Sequence, residues 1–230
     1  TSLLPGLLKA TDFNIKNSSS SFKLYELGSV HIQSGNHIEQ INENLRLSGI
    51  AIGNEISESV HSENTPYDLF SIKGYVYALL NQKLRLNISL EKCENILYDD
   101  AYHILVKKNI IGTLGKLSDE LFSALKIDKH DIYVFDLDID MIFDQGVSIL
   151  YNPITLYPKI SRRINLVLNI ADSVGPILEL IDEKGGKILV DKYPVEVFED
   201  KENLGEKNKS VTFEMVFQDS EKTLEDKDVN

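Results

Sequence analysis

The sequence predicts an α+β fold in two blocks, and three observations carry that expectation. The stretch "IYVFDLDIDMIF", Ile132 to Phe143, has a strand's period of two, with apolar residues and aspartates alternating from Phe135 to Met141. The stretch "YHILVKKNIIGTLGKLS" reads as an antiparallel hairpin turning at "KKN". The last third of the chain runs β-α-β-β-α, with strand and helix periods taking turns.

In order along the chain, Leu3, Leu4, Leu7 and Leu8 have helical spacing, and Pro5 is tolerated in a first turn. "KNSSSS" is a polar loop. "SFKLYELGSVHI" and "NLRLSGIAIGN" follow as strands. Asp68 is placed to cap a helix whose Leu69, Ile72, Val76, Leu79 and Leu80 share a face. After the hairpin, Ser118 is placed to cap "DELFSALKI". In the alternating strand, Tyr133, Phe135, Leu137, Ile139 and Met141 face one way. Val134, Asp136, Asp138 and Asp140 face the other.

"DQGVSILYNPITLYP" joins the blocks, and its Gly, Asn and Pro residues disfavour regular structure. The expected division is a first domain over 1–148, a linker over 149–156 and a second domain over 157–230. In the second, "INLVLNIA" is a strand, and "SVGPILELIDEKGG" is a helix that Gly185 and Gly186 can end. "KILVDKYPVEVFED" is a strand which Pro194 marks as bulged or at an edge. "SVTFEMVFQD" is the third strand, and Thr223 is spaced to start a second helix. The order lacks one strand of a split-βαβ, ferredoxin-like pattern. The expectation is therefore a frayed end after Thr223, and an uncovered or borrowed partner for the strand at Ile164 to Ala171.

The 230 residues carry a net charge of −12, which argues against non-specific nucleic-acid binding and leaves a local patch open. No apolar run approaches the ~18 residues of a membrane span, and the opening lacks the basic start of a signal peptide. Cys93 is the only cysteine, so a disulfide within these residues is impossible, and a reducing compartment such as the cytoplasm is the simple reading.

Candidate chemistry is sparse. Asp136, Asp138 and Asp140 could approach a hard cation, but the solvated face of a sheet is the simpler reading. His31, His37, His61, His103 and His130 have no zinc-ligand spacing with one another or with Cys93. "GTLG", Gly112 to Gly115, resembles a KH-type loop, although a turn needs glycine for steric reasons alone. In the second block, Lys159, Arg162 and Arg163 precede the first strand, and Lys207 and Lys209 precede the third. Phe198 ends the second strand, where a ring could stack on an unpaired base.

Several motifs in order carry a resemblance. "TSLLPGLL", "FKLYELGSVH", "FSIKGYVYALL", "IIGTLGKLSDELFSAL" and "YVFDLDIDMI" are followed by "YPKISRRINLVL", "VEVFED", "EKNKSVTFEMVF" and "EKTLEDKDVN". Together they resemble the C-terminal part of the beta subunits of the bacterial phenylalanine–tRNA ligase family, over essentially the whole chain. The resemblance implies a fold: a class II aminoacyl-tRNA synthetase-like antiparallel sheet with flanking helices, then a truncated ferredoxin-like anticodon-binding domain. It implies that the first domain is inactive and scaffolds a catalytic alpha subunit, in a heterotetramer of two alpha and two beta subunits. It also implies that ATP and Mg2+ serve the whole enzyme, with no cofactor, metal or catalytic residue in this portion. Neither DNA nor a membrane is an implied partner. A working class II site uses an arginine in a Phe-Arg-x-Glu strand to hold ATP phosphates. Here Lys23 lies between Phe22 and Glu26, a cation without a planar fork.

For the second domain the resemblance implies phenylalanine tRNA as partner. The stacking aromatic falls on Phe198, the acid that reads the base edge on Glu196, and a serine contact on Ser210. Lys159, Arg162, Arg163, Lys207 and Lys209 are candidates for the tRNA backbone. The family often has Phe-Asp-x-Tyr where Val195 to Phe198 stand, and Arg-Asp where Arg162-Arg163 stands. The second change removes any salt bridge the aspartate made and adds positive charge. The alternative is a ferredoxin-like protein that senses a small amino acid, which needs a pocket at a helix–strand or subunit interface.

Overall fold

A computed structural model describes residues 2–33, 41–125, 130–146, 154–200 and 203–229. Residues 149–153 of the expected 149–156 linker, and His37, lie outside the described residues. The chain forms two compact units, Thr1–Leu150 and Tyr151–Asn230.

The first unit opens with helix α1 (Leu4–Lys16), which buries Leu4, Leu7, Leu8 and Thr11 and has Pro5 in its first turn. Strands β1 (Phe22–Gln33) and β2 (Ile41–Ile52) pair antiparallel, from Phe22 opposite Ile52 outward. A small pair, β3 (Asn54–Ile56) and β4 (Thr65–Pro66), leads to helix α2 (Leu69–Tyr77). Asp68 caps α2 by accepting a hydrogen bond from the Ser71 amide at 2.8 Å. A π-helical turn, Ala78–Lys83, continues α2 and carries the fully buried Leu80.

Strands β5 (Ile88–Cys93), β6 (Tyr98–Val106) and β7 (Asn109–Leu117) form a meander. The β6–β7 hairpin turns on Lys107 and Lys108, both with positive φ, the signature of a type I′ turn. Helix α3 (Asp119–Leu125) follows, and the Ser118 hydroxyl accepts from the Leu121 amide at 3.3 Å. Strand β8 (Ile132–Asp138) and helix α4 (Ile139–Asp144) complete the unit. The sheet order is β1-β2-β8-β7-β6-β5, antiparallel throughout.

Both faces of this sheet are covered. Leu4, Leu7 and Leu8 of α1 and Phe122 of α3 pack with Ile50, Ile52, Ile132 and Val134 on one side. Ile72 and Val76 of α2 and Ile142 of α4 pack with Ala51, Ile111, Leu114 and Leu137 on the other.

Two expectations in this unit are corrected. The alternating stretch is not one strand, because it turns into α4 at Asp138. There the carboxylate accepts from the Met141 amide at 3.0 Å, which is a helix cap. Period-two patterning cannot separate a strand from a short helix that buries only Ile142. "GTLG" is not a loop but lies within β7. A Cβ at Gly112 would collide with the Asp136 carbonyl oxygen, and one at Gly115 would come within 2.5 Å of the Asp100 carbonyl oxygen. The glycines let neighbouring strands approach, so the KH resemblance falls.

The second unit has strand β9 (Ile160–Asn169), helix α5 (Gly175–Gly185), strand β10 (Leu189–Phe198) and strand β11 (Asn208–Phe217). Its sheet order is β10-β11-β9, so among the described residues β9 pairs with β11 alone. Gly186, at φ 64, ends α5. The register of β10 shifts between Pro194 and Glu196, the bulge that the proline signals. Val211 and Phe213 are fully buried on one sheet face. Lys192, from the same face of β10, pairs with Asp182 of α5 and marks the side that the helix covers.

The expected helix at Thr223 does not form. Glu225 and Asp228 instead close a capping box around a 3-10 turn, Asp226–Asp228. A helix this short is below the length at which nucleation is repaid. The segment is not frayed: Leu224 is buried and Asp226 pairs with Arg162.

Candidate functional site

The face of the second sheet opposite α5 carries Phe198, Glu196, Ser210 and Arg163 of the residues singled out in the sequence. Side chains directly opposite each other on antiparallel strands share a face. Phe198 of β10 lies opposite Ser210 of β11, which lies opposite Val167 of β9. Glu196, Thr212 and Asn165 form the next row on that face, and Tyr193, Glu214 and Arg163 the one after. Phe198 is 52% exposed, whereas Phe213 on the other face is fully buried. The aromatic ring therefore stands on the open side of the sheet, with Glu196 exposed two residues before it.

The polar groups on this face are ordered. The Ser210 hydroxyl donates to Asn165 Oδ1 at 2.8 Å, and Asn165 Nδ2 donates to Thr212 Oγ1 at 3.0 Å. In the third row, Arg163 Nε donates to Glu214 Oε2 at 2.7 Å and the Tyr193 hydroxyl donates to Oε1 at 3.4 Å. The Arg163 guanidinium, ahead of smaller contributions, holds the Glu214 carboxyl below the usual carboxylate range.

The cations divide. Lys159 and Lys207 are exposed. Arg163 is on the open face but ion-paired to Glu214. Arg162 has the opposite parity, opposite Met215, and pairs with Asp226. Lys209 Nζ donates to the carbonyls of Ile170 and Asp172 at 2.9 and 2.7 Å, tying down the turn after β9. Neither arginine of the Arg-Arg pair adds an unopposed charge, since each has found a carboxylate elsewhere. Asn165, Thr212, Tyr193 and Glu214 were not singled out in the sequence. Their signal is cross-strand register, which a single strand's alternation does not contain.

The first unit has its own polar cluster, under α2. Lys23 Nζ lies 4.6 Å from the centre of the Tyr75 ring and donates to its hydroxyl at 3.2 Å. That hydroxyl donates to Glu55 Oε1 at 2.5 Å, and the Ser71 hydroxyl donates to Oε2 at 2.7 Å. Hydrogen bonds from Tyr75 first, then Ser71, hold the Glu55 carboxyl below its ordinary range.

Nor are the three aspartates a solvated face. Asp136 pairs with Arg46 at 2.5 Å and accepts from Ser48, Asp138 pairs with Arg46 at 3.4 Å, and Asp140 accepts from the Leu45 amide at 2.8 Å. Among the described residues, no three His, Cys, Asp or Glu side chains gather as a metal site. No described helix is long and apolar enough to cross a membrane.

Comparison with known proteins bears on both units. The family described as "Phenylalanyl tRNA synthetase beta chain CLM domain" matches residues 1–139, and "Ferredoxin-fold anticodon binding domain" matches residues 155–230. Phenylalanine–tRNA ligase beta subunits of Listeria monocytogenes and Bacillus subtilis are each 30% identical, over 100% and 99% of this chain. The Staphylococcus saprophyticus subunit is 32% identical over 100% of it. The chain spans 29%, 28% and 28% of the length of these three relatives, respectively. A solved pyrrolysyl-tRNA synthetase of Desulfitobacterium hafniense matches 64% of this chain and 50% of its own, with TM-score 0.48 and 11% identity.

Proposed function

Because the chain belongs to the phenylalanyl-tRNA synthetase beta chain family, we propose that it serves phenylalanine–tRNA ligase as a non-catalytic scaffold joined to an anticodon-binding module. The observation that carries the second role is the shared open face of Phe198, Glu196 and Ser210, two of them directly opposite across β10 and β11. A flat exposed ring offers stacking to an unpaired loop base, and a carboxylate beside it accepts hydrogen bonds from that base's edge. Guanine, the first anticodon base for phenylalanine codons, presents two such donors, N1–H and the N2 amine.

In this reading Lys159 and Lys207 approach the tRNA backbone, where each phosphate neutralised steepens the salt dependence of binding. Arg163 keeps Glu214 in place on the reading face, while Arg162 and Lys209 act within the domain. The working division is 1–148 for the scaffold and 157–230 for the tRNA module, joined by 149–156. The partners are a catalytic alpha subunit, in a heterotetramer of two alpha and two beta chains, and phenylalanine tRNA in the cytoplasm.

ATP and Mg2+ belong to the whole ligase in this scheme. The residues on the first sheet do not fit a nucleotide, because Lys23 is engaged by Tyr75 and α2 packs on the same face of the sheet. No aminoacylation step is assigned to it.

The test is the affinity of the assembled ligase for phenylalanine tRNA and for the same tRNA with its anticodon replaced. The proposal expects weaker binding of the replaced form. Equal affinity for both would overturn the anticodon role of Phe198 and Glu196.

A further inference from the structure

We infer that Asn165 is a specificity-determining positioning residue, which fixes the Ser210 hydroxyl as a hydrogen-bond acceptor and so excludes bases that present an acceptor at that point. The inference rests on reading this face as the anticodon site, and it adds a residue and a physical cause to that reading.

A serine hydroxyl has one hydrogen and two lone pairs. The Ser210 hydrogen is spent on Asn165 Oδ1, at 2.8 Å. What Ser210 offers to anything on the open face is therefore its lone pairs. The orientation of the Asn165 amide sets this polarity: its Oδ1 faces Ser210 while its Nδ2 donates to Thr212 Oγ1 at 3.0 Å. Turned over, the amide would donate to Ser210 and accept from Thr212, and Ser210 would offer its hydrogen instead, an arrangement in which losing Asn165 brings no gain for adenine. Thr212, as the acceptor, keeps its own hydrogen.

Two acceptors thus flank the Phe198 ring, the Ser210 oxygen in its own row and the Glu196 carboxylate in the next. They are diagonal neighbours across β10 and β11, since Glu196 is opposite Thr212 and Phe198 is opposite Ser210. A base stacked on Phe198 would meet these two acceptors. Guanine, with two adjacent donors, satisfies them. Adenine places its ring N1, an acceptor, on the same edge, and a lone pair would face a lone pair. A buried or stacked polar group left without a partner loses more than a hydrogen bond gains.

Without Asn165 the Ser210 hydroxyl can rotate. It could then donate to adenine N1 or accept from guanine, and the discrimination would relax. Loss of a merely structural contact would weaken both tRNAs together, so the direction of the adenine change is diagnostic.

The experiment uses the assembled ligase and two phenylalanine tRNA transcripts, with guanine or adenine as first anticodon base. Asn165→Ala is expected to leave guanine binding within about 3-fold, to tighten adenine binding and to lower the guanine-over-adenine preference about 3- to 10-fold, the worth of one hydrogen bond. Adding Ser210→Ala should abolish the gain for adenine. If Asn165→Ala leaves adenine binding unchanged, or weakens both tRNAs in equal proportion, Asn165 does not set the hydroxyl's polarity. Phe198→Ala separates the two levels. If it leaves both tRNAs bound as before, the anticodon reading of the face has failed and the inference falls with it. If Phe198→Ala weakens binding while Asn165→Ala leaves adenine binding unchanged, the inference about Asn165 alone has failed.

Discussion

The two units solve the same problem, a sheet with two faces, in opposite ways. The six-stranded sheet is packed on both sides, by α1 and α3 on one and by α2 and α4 on the other. Its polar groups near β1 are consumed internally, with Lys23, Tyr75, Glu55 and Ser71 bonded to one another. The three-stranded sheet has α5 on one face and leaves the other bare, with a half-exposed aromatic and an ordered row of hydroxyl and amide groups. Polar side chains are common to both. What differs is whether hydrogen-bonding capacity and ring surface remain for something outside the chain.

The most disruptive way to sharpen this contrast is to exchange the roles of two phenylalanines in one sheet. Phe213→Ala removes a fully buried ring and should cost about 3–5 kcal/mol of the second unit's stability, measured by denaturant unfolding. Phe198→Ala should stay within about 0.5 kcal/mol in the same assay, as an exposed position does. A comparable loss from both would mean that Phe198 belongs to the core and that the face is not open.

In the first unit, Gly112→Ala drives a Cβ against the backbone oxygen of Asp136, which cannot swing away as a side chain could. It should cost about 1–3 kcal/mol in thermal or chemical unfolding. Wild-type stability would mean that β7 and β8 are farther apart than described. Arg46→Ala should cost about 1–3 kcal/mol, because it leaves the half-buried Asp136 and the buried Asp138 without their cation.

The smallest expected effect is electrostatic. Glu214 is held below the usual carboxylate range chiefly by Arg163. Its lowered value stabilises the fold above the unfolded carboxylate pKa, and that contribution is lost as pH falls through the lower folded value. In an NMR titration, Arg163→Ala should move the Glu214 midpoint upward. An unmoved midpoint would separate the two side chains in solution.

Much of this architecture was legible in the sequence, because local chemistry decides it. Asp68 and Ser118 cap helices as their spacing suggests, Pro194 marks a bulge, and Lys107-Lys108 turns a hairpin. The failures share a cause. At Asp138 a carboxylate that looked like part of an alternating face caps a helix, and at Gly112 an apparent loop glycine relieves contact with a neighbouring strand. Both depend on what lies across the sheet, which a linear pattern does not state.

The candidate site divides the same way. The resemblance pointed to Phe198, Glu196 and Ser210, and the structure places all three on one face. Asn165 emerged only from the register that sets β9 beside β11. The Arg162-Arg163 pair looked like added charge, yet strand parity sends one side chain to Asp226 and the other to Glu214.

The most direct test of the open-face account is phenylalanine tRNA affinity of the assembled ligase for Phe198→Ala and Lys23→Ala, measured side by side. Loss of one stacked base predicts roughly 5- to 150-fold weaker binding for Phe198→Ala, against unchanged binding for Lys23→Ala. Unchanged binding by Phe198→Ala, or an equal loss from both, would contradict the assignment of tRNA recognition to the bare face.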